Sequence, residues 1–438
     1  SSFSSSSSSF SSSFFLSFFH SFFLFLSFRS ADDLSGPHLA RAWDNVRQVK
    51  DKDGQPAKLV TVGRSFLTAD GVVIVAHPDV AQEMSAKDDK ELVKGGLMRL
   101  YGRWVIGEGL GVNMGAKWAA SRRALTPLFH FGTLRSYIPF VGLEADRLVE
   151  ELRATNGAPI HPGEHFGRLT MRMTVGLAFG SFVDSDAMAK VQRQLGMDFH
   201  QFIVKYRRYG SIVDRLPWLF AEARAVMRTR ASLNQLLHDA IRKLRASGAY
   251  KTADPQTGRD DMLRVLLRAA DENPIIDDDL IVEEGKTFLF AGHDTTANAL
   301  TVLMHYLAAD PDVCARIREE AACVAGDEPI TQEHFNELKY TRACVNETLR
   351  LLPPGSSIRI AACDTTLAGL HVPKGTEVMN MPVVTSRHPA CGHEDPEAFR
   401  PERWLEPGAQ HHVCHSTAFW VGARNCIGQK FAVQEAVI

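Results

Sequence analysis

Hydrophobic and polar positions alternate clearly in only a few stretches of this chain. Leu59-Val60-Thr61-Val62 and Val72-Val73-Ile74-Val75, separated by a break containing Asp70-Gly71, predict a β-hairpin. Ile358-Arg359-Ile360 and the run Val372 to Met381 also alternate like strands. Most of the remainder has helical periodicity. An amphipathic helix is predicted over Ser35 to Gln55, and His77-Pro78-Asp79 opens another with proline in its first turn. Residues 135 to 270 are helical in pattern, with stops at Gly157, Gly210, Pro217 and Gly258. A long helix follows from about Asp277 to Ala309, and a last one from Gln429 to Val437.

Two of these elements break their own rules. The long helix is apolar around Phe288-Leu289-Phe290 and Leu300 to Leu303. Its centre, however, reads Ala291-Gly292-His293-Asp294-Thr295-Thr296, in which glycine, aspartate and β-branched threonine are poor helix formers. Polar chemistry inside a buried rod marks a functional site, and an acid beside an alcohol can move protons. The second exception is Phe419-Trp420-Val421-Gly422-Ala423-Arg424-Asn425-Cys426-Ile427-Gly428. A cysteine between glycines, just before a helix N-terminus, is placed for a depressed pKa and backbone N–H groups aimed at sulfur. Arg424 offers a cation to carboxylates.

The spacing Phe419-x-x-Gly422-x-Arg424-x-Cys426-x-Gly428 resembles the heme-binding loop of the cytochrome P450 family, eukaryotic type, with Trp420 and Ala423 standing where the family often has Gly and Pro. Proximal thiolate ligation is that family's known chemistry and comes with the resemblance. The resemblance implies a mainly α fold with small β-sheets (α+β), a helix-rich core sandwiching heme b, and Cys426 as the iron ligand. Phe419, Gly422, Arg424 and Gly428 would then be cofactor contacts. Ala291 and Gly292 would lie against the heme face, with Gly292 letting the helix open to dioxygen. Asp294 and Thr295 would be the proton-handling pair, without His293. Trp118 and Arg122, at i and i+4 on one helix face, would contact a propionate, and Arg359 a second one. Glu347, Arg350 and Arg403, the last within Phe399-Arg400-Pro401-Glu402-Arg403-Trp404, would form a structural Glu–Arg–Arg network. The activity implied is insertion of one oxygen atom from O2 into an apolar organic substrate. Electrons would come from a separate donor, an NADPH-P450 reductase or a ferredoxin, because no flavin or nicotinamide motif is present. Two alternatives stand beside it: a peroxide-rearranging heme-thiolate enzyme and a non-catalytic heme-binding fragment.

Composition changes this picture only at the edges. At 438 residues and 45% hydrophobic the chain can bury a large core, and its net charge of -2 gives no nucleic-acid signal. The seven cysteines lack CxxC pairing and suit a reduced, cytosol-facing protein. Gly107 to Gly115 lacks the Lys-Ser/Thr of a phosphate loop. His411, His412, Cys414 and His415 read as an exposed loop and not a zinc site. Pro217-Trp218-Leu219-Phe220 reads first as ordinary helix packing, and otherwise as a membrane-touching or channel-entry segment. Residues 1 to 28 hold 14 Ser, 10 Phe, 3 Leu and His20. Three readings stand for this low-complexity segment (1–30): a translated pyrimidine tract, a membrane anchor and a targeting peptide. The family-like domain then covers 31–438. It stops inside a predicted helix, which implies an incomplete C-terminus. An endoplasmic reticulum membrane location facing the cytosol is expected, with a plastid as the alternative.

Overall fold

A computed structural model describes residues 49–51, 53–62, 72–209, 211–406 and 417–438. The β-hairpin forms as its alternation predicts: β1 (Leu59–Val62) pairs antiparallel with β2 (Val72–Val75), Leu59 opposite Val75. The helix expected over Ser35 to Gln55 is not found in its described end. There Asp51 accepts the N–H groups of Asp53 and Gln55, both at 2.9 Å, Gly54 turns at φ +74°, and Lys50 bridges to Pro56. An Asx turn has displaced the last helical turn. The remainder of that segment, residues 1–30 and the His411–His415 cluster lie outside the described residues.

Helix α1 (Pro78–Ala86) starts where Pro78 predicts, and the His77 Nδ1 accepts the Asp79 N–H as its cap. After β3 (Leu92–Val93) come α2 (Gly115–Leu125), α3 (Ile138–Arg153), α4 (Pro162–Phe179), α5 (Ser185–Tyr209) and α6 (Ala221–Ser247). The long helix α7 (Asp278–Ala309) is capped by the Asp277 carboxylate, which accepts the Leu280 N–H at 2.7 Å, and carries Asp278 and Asp279 in its first turn. Its first half is buried all round, from Leu280 to Phe290, which is the pattern of a central helix rather than a surface one. It packs most extensively on α4, and also on α6, α8 (Lys339–Leu351) and α9 (Gln429–Val437).

The strands β4 (Ser357–Ala361) and β7 (Glu377–Asn380) complete a five-stranded sheet in the order β1-β2-β7-β4-β3, while β5 (Thr365–Leu367) and β6 (Leu370–Val372) form a separate pair. The β2–β7 pairing is parallel and the others are antiparallel. This mainly α architecture with small sheets is the expected fold class. Among the described residues no helix is long and apolar enough to cross a membrane.

Candidate active site

The cysteine loop is folded back on itself. Cys426 donates its N–H to the Phe419 carbonyl at 2.8 Å, and Trp420 and Gly422 turn at φ +61° and +76°. Gly422 is required for that turn, and a Cβ there would meet Ser85 Oγ of α1 at 3.2 Å. Trp420 takes a left-handed conformation that disfavours a large side chain. Its indole compensates by donating to Asp88 Oδ2 at 3.0 Å and lying 5.5 Å from the Arg359 guanidinium.

Cys426 lies on the wall of a cavity of about 330 Å³, and the exposure of its side chain is to that cavity. The N–H groups of Gly428 and Gln429, at the start of α9, are aimed at its sulfur. The expected depression of the thiol pKa is not what results. Burial pushes it up and outweighs those N–H groups and Arg122, so the free thiol stays protonated. Iron would supply the charge that favours the thiolate.

Phe419, Arg424, Gly428, Trp118 and Arg122 share this wall, and Ala291, Gly292 and Thr295 of α7 also line the cavity. Arg122 does not point free into it: its guanidinium donates to the Asn425 carbonyl at 2.8 Å and to Asn425 Oδ1 at 2.7 Å, clamping the residue next to Cys426. Arg424 donates from Nε to Asp89 Oδ2 at 2.7 Å and from Nη1 to the Asn113 carbonyl at 2.8 Å, and sits 3.8 Å over the Trp118 ring. Arg359 is absent from the wall. It donates to both oxygens of Asp88, at 2.5 Å and 2.9 Å, so the expected second carboxylate contact is replaced by a buried ion pair.

On α7 the acid and the alcohol diverge. Thr295 Oγ1 donates to the Ala291 carbonyl at 2.7 Å, still on the cavity side. Asp294 lies off the wall, with Oδ1 at 3.0 Å from His293 Nε2 and Oδ2 buried without a partner. Adjacent helical residues point about 100° apart, which separates them. Burial alone would lower the His293 pKa. The charge of Asp294 and hydrogen bonds to Asp294 and Leu289 raise it instead. Helix α7 is continuous through Gly292, with no opening; a Cβ there would meet Thr174 Oγ1 of α4 at 2.6 Å. Gly292 therefore serves the close crossing of α7 and α4.

Behind the loop the structural network forms as predicted. Glu347 accepts from Arg350 Nε and Nη2, both at 2.8 Å, and from Arg403 Nε at 2.9 Å. The Arg400 N–H and Trp404 Nε1 add bonds at 3.0 Å each. Burial alone would raise the Glu347 pKa, but hydrogen bonds and charge from Arg350, with Arg400 and Arg403, hold it low.

Two cavity residues, Lys94 and Glu435, carry no signal in the sequence. Lys94, just after β3, is held well below the usual lysine range by burial and by the neighbouring Arg359 and Arg424. Thr296 donates to Glu435 Oε2 at 3.2 Å, and burial pushes that carboxyl well up, leaving Oε1 without a partner. Glu435 sits in α9 among Gln429, Lys430 and Gln434, and nothing in that sequence sets it apart. The Gly107–Gly115 loop is likewise held to α7: Glu283 accepts the Glu108 N–H at 2.6 Å and Glu284 the Leu110 N–H at 2.8 Å.

These residues suit heme b. A thiol faces a mainly apolar cavity, and two guanidinium groups, Arg122 and Arg424, stand on its wall with the Lys94 amine where two propionates need partners. Lys94 has Arg359 and Arg424 on one side and Asp88 and Asp89 on the other, and burial is the main cause that disfavours its charge.

The sequence profile described as Cytochrome P450 matches residues 56–438. Relatives include mouse Cytochrome P450 4V2, 32% identical over 379 residues (81% of this chain, 70% of the relative). Human Cytochrome P450 4V2 is 30% identical over 380 residues, with the same shares covered. Cytochrome P450 4d2 of Drosophila melanogaster is 29% identical over 375 residues, covering 81% of this chain and 74% of that one. A profile match running from residue 56 to the last residue, on a chain whose cavity suits the cofactor, shows that this chain belongs to the cytochrome P450 family of heme b-dependent monooxygenases.

Proposed function

We propose that the chain inserts one oxygen atom of O2 into an apolar organic substrate, with electrons delivered by a separate reductase or ferredoxin. The observation that carries this reading is the shared cavity, with Cys426 and with Ala291, Gly292 and Thr295 of α7 on its wall. Bound heme would supply the oxidising chemistry, and the protein's part is to hold, orient and shield. In this reading Cys426 ligates the iron, with the Gly428 and Gln429 N–H groups setting its electron donation. Lys94, Arg122, Arg424 and Trp118 take the propionate side. Phe129, Leu177 and Leu349, with the turn of α7, present apolar surface to the substrate and exclude water. Thr295 holds a proton at the cavity wall. Asp294 reaches that wall only by leaving His293, so the pair acts as a proton store behind it.

The proposed location is the cytosolic face of the endoplasmic reticulum. Pro217–Leu219 is not packed inside the protein as ordinary helix packing would require: Trp218 is 59% exposed and Leu219 63%, beside the exposed Ile212. Such a patch suits a bilayer surface. Aerobic turnover with a fatty or terpenoid hydrocarbon panel, NADPH and added reductase tests the function. The expected result is reductase-dependent transfer of label from 18O2 into product. Product formed from peroxide alone, without label from O2, would refute it.

A further inference from the structure

Away from the Cys426 cavity, a second cavity of about 280 Å³ lies between α4 and the start of α5. Arg168 and Arg172 reach it from α4 and Lys190 and Arg193 from α5, while Asp186 is the carboxylate on its wall. The key group is Arg172, only 9% exposed. Its Nε is bonded to Glu144 and its Nη1 to Glu151 at 3.2 Å, whereas Nη2 is buried with no partner. Arg168 is engaged, donating to Glu151 at 3.3 Å and lying 2.9 Å from His165 Nδ1. Lys190 and Arg193 are exposed and make no ion pair among the described residues. Cationic groups therefore outnumber Asp186 on the wall, and one guanidinium nitrogen lacks an acceptor.

Arg172 adds its charge from the cavity wall to that of the exposed Lys190 and Arg193. Guanidinium and ammonium together match a tetrahedral oxyanion better than a halide. Met171, Ala189 and Met197 add apolar surface beside the cations, suited to the carbon part of an ester. We propose that this cavity binds a phosphate-bearing small anion, held by Lys190 and Arg193 with the charge of Arg172 behind them, and opposed by Asp186. A soluble phosphate ester and a lipid phosphate headgroup share that chemistry.

The test uses the heme-loaded full chain. Isothermal titration with inorganic phosphate and with glycerol 3-phosphate, at ionic strength fixed with chloride, is run alongside flotation on phosphatidic acid and phosphatidylcholine vesicles. Saturable uptake is expected, weakened roughly tenfold in the Lys190→Gln/Arg193→Gln double variant and tightened severalfold in Asp186→Asn. Both variants alter exposed side chains, and an unchanged Soret spectrum will verify that the fold is intact. Flotation on phosphatidic acid that is lost in the double variant assigns the ligand to the headgroup; uptake without flotation assigns it to a soluble ester. No saturable phosphate uptake, or equal affinity in native chain and double variant, overturns the proposal whatever the vesicles show.

Discussion

Gly292 shows how a single residue serves packing in the middle of a candidate site. Replacing it by alanine should gain up to about 1 kcal/mol of helix propensity. It would also place a Cβ 2.6 Å from Thr174 Oγ1 and 2.8 Å from Thr174 Cγ2, an overpacking penalty of about 1–3 kcal/mol. The predicted net outcome for Gly292→Ala is a lower thermal midpoint, restored when Thr174→Ala is added. No rescue by Thr174→Ala would mean that the glycine is needed for something other than the α7–α4 crossing. Glu284 carries a different signature. Burial pushes its carboxyl up to about 7, with Glu283 beside it adding to the shift. A folded-state pKa above the unfolded one means the folded protein binds the proton more tightly. This group's contribution is therefore greatest in acid, and stability falls as pH rises from the ordinary carboxylate range to about 7. Glu284→Gln, which keeps an acceptor for the Leu110 N–H, should abolish that fall and leave the variant more stable at pH 8 by up to about 3 kcal/mol. Denaturant titrations of both proteins at pH 5 and pH 8 measure it; parallel pH dependences would contradict the assignment.

At the scale of elements, the Glu347 network joins α8 to the Arg400–Trp404 segment. Glu347→Ala strands the Arg350 and Arg403 guanidinium groups, and breaking a buried pair in this way costs about 3–5 kcal/mol. The expected readout is loss of cooperative unfolding or a large fall in denaturation midpoint, while Glu347→Gln keeps part of the hydrogen bonding and loses less. A fall within 1 kcal/mol for Glu347→Ala, on the scale of an exposed pair, would show the network to be peripheral. The hairpin, α7, the Glu347–Arg350 pair and the cysteine loop were legible in the sequence, because their signals are local: spacing within one helix, alternation within one strand, glycines around one cysteine. The part of Arg403 in the network came only with the family resemblance. What was not legible depends on partners far along the chain. Arg122 is committed to Asn425 and Arg359 to Asp88, and neither partner is marked by any local pattern. Asp294 was read as the acid of a proton-handling pair without His293, whereas its Oδ1 lies 3.0 Å from His293 Nε2, off the cavity wall. Lys94 and Glu435 stand among ordinary polar residues and become visible only once burial is known.

At the scale of the whole molecule, the helices and the five-stranded sheet bring one cysteine, one turn of α7 and a set of cations to the same cavity, and the function rests on that convergence. The measurement that tests it most directly is the absorption spectrum of the reduced, carbon-monoxide-bound protein, taken for the native chain and for Cys426→His. The predicted result is the long-wavelength Soret band of thiolate ligation in the native protein, replaced in the variant by the shorter-wavelength band of histidine ligation. A thiolate band that survives in the variant, or a histidine-type band in the native protein, would contradict the assignment of Cys426 as the iron ligand.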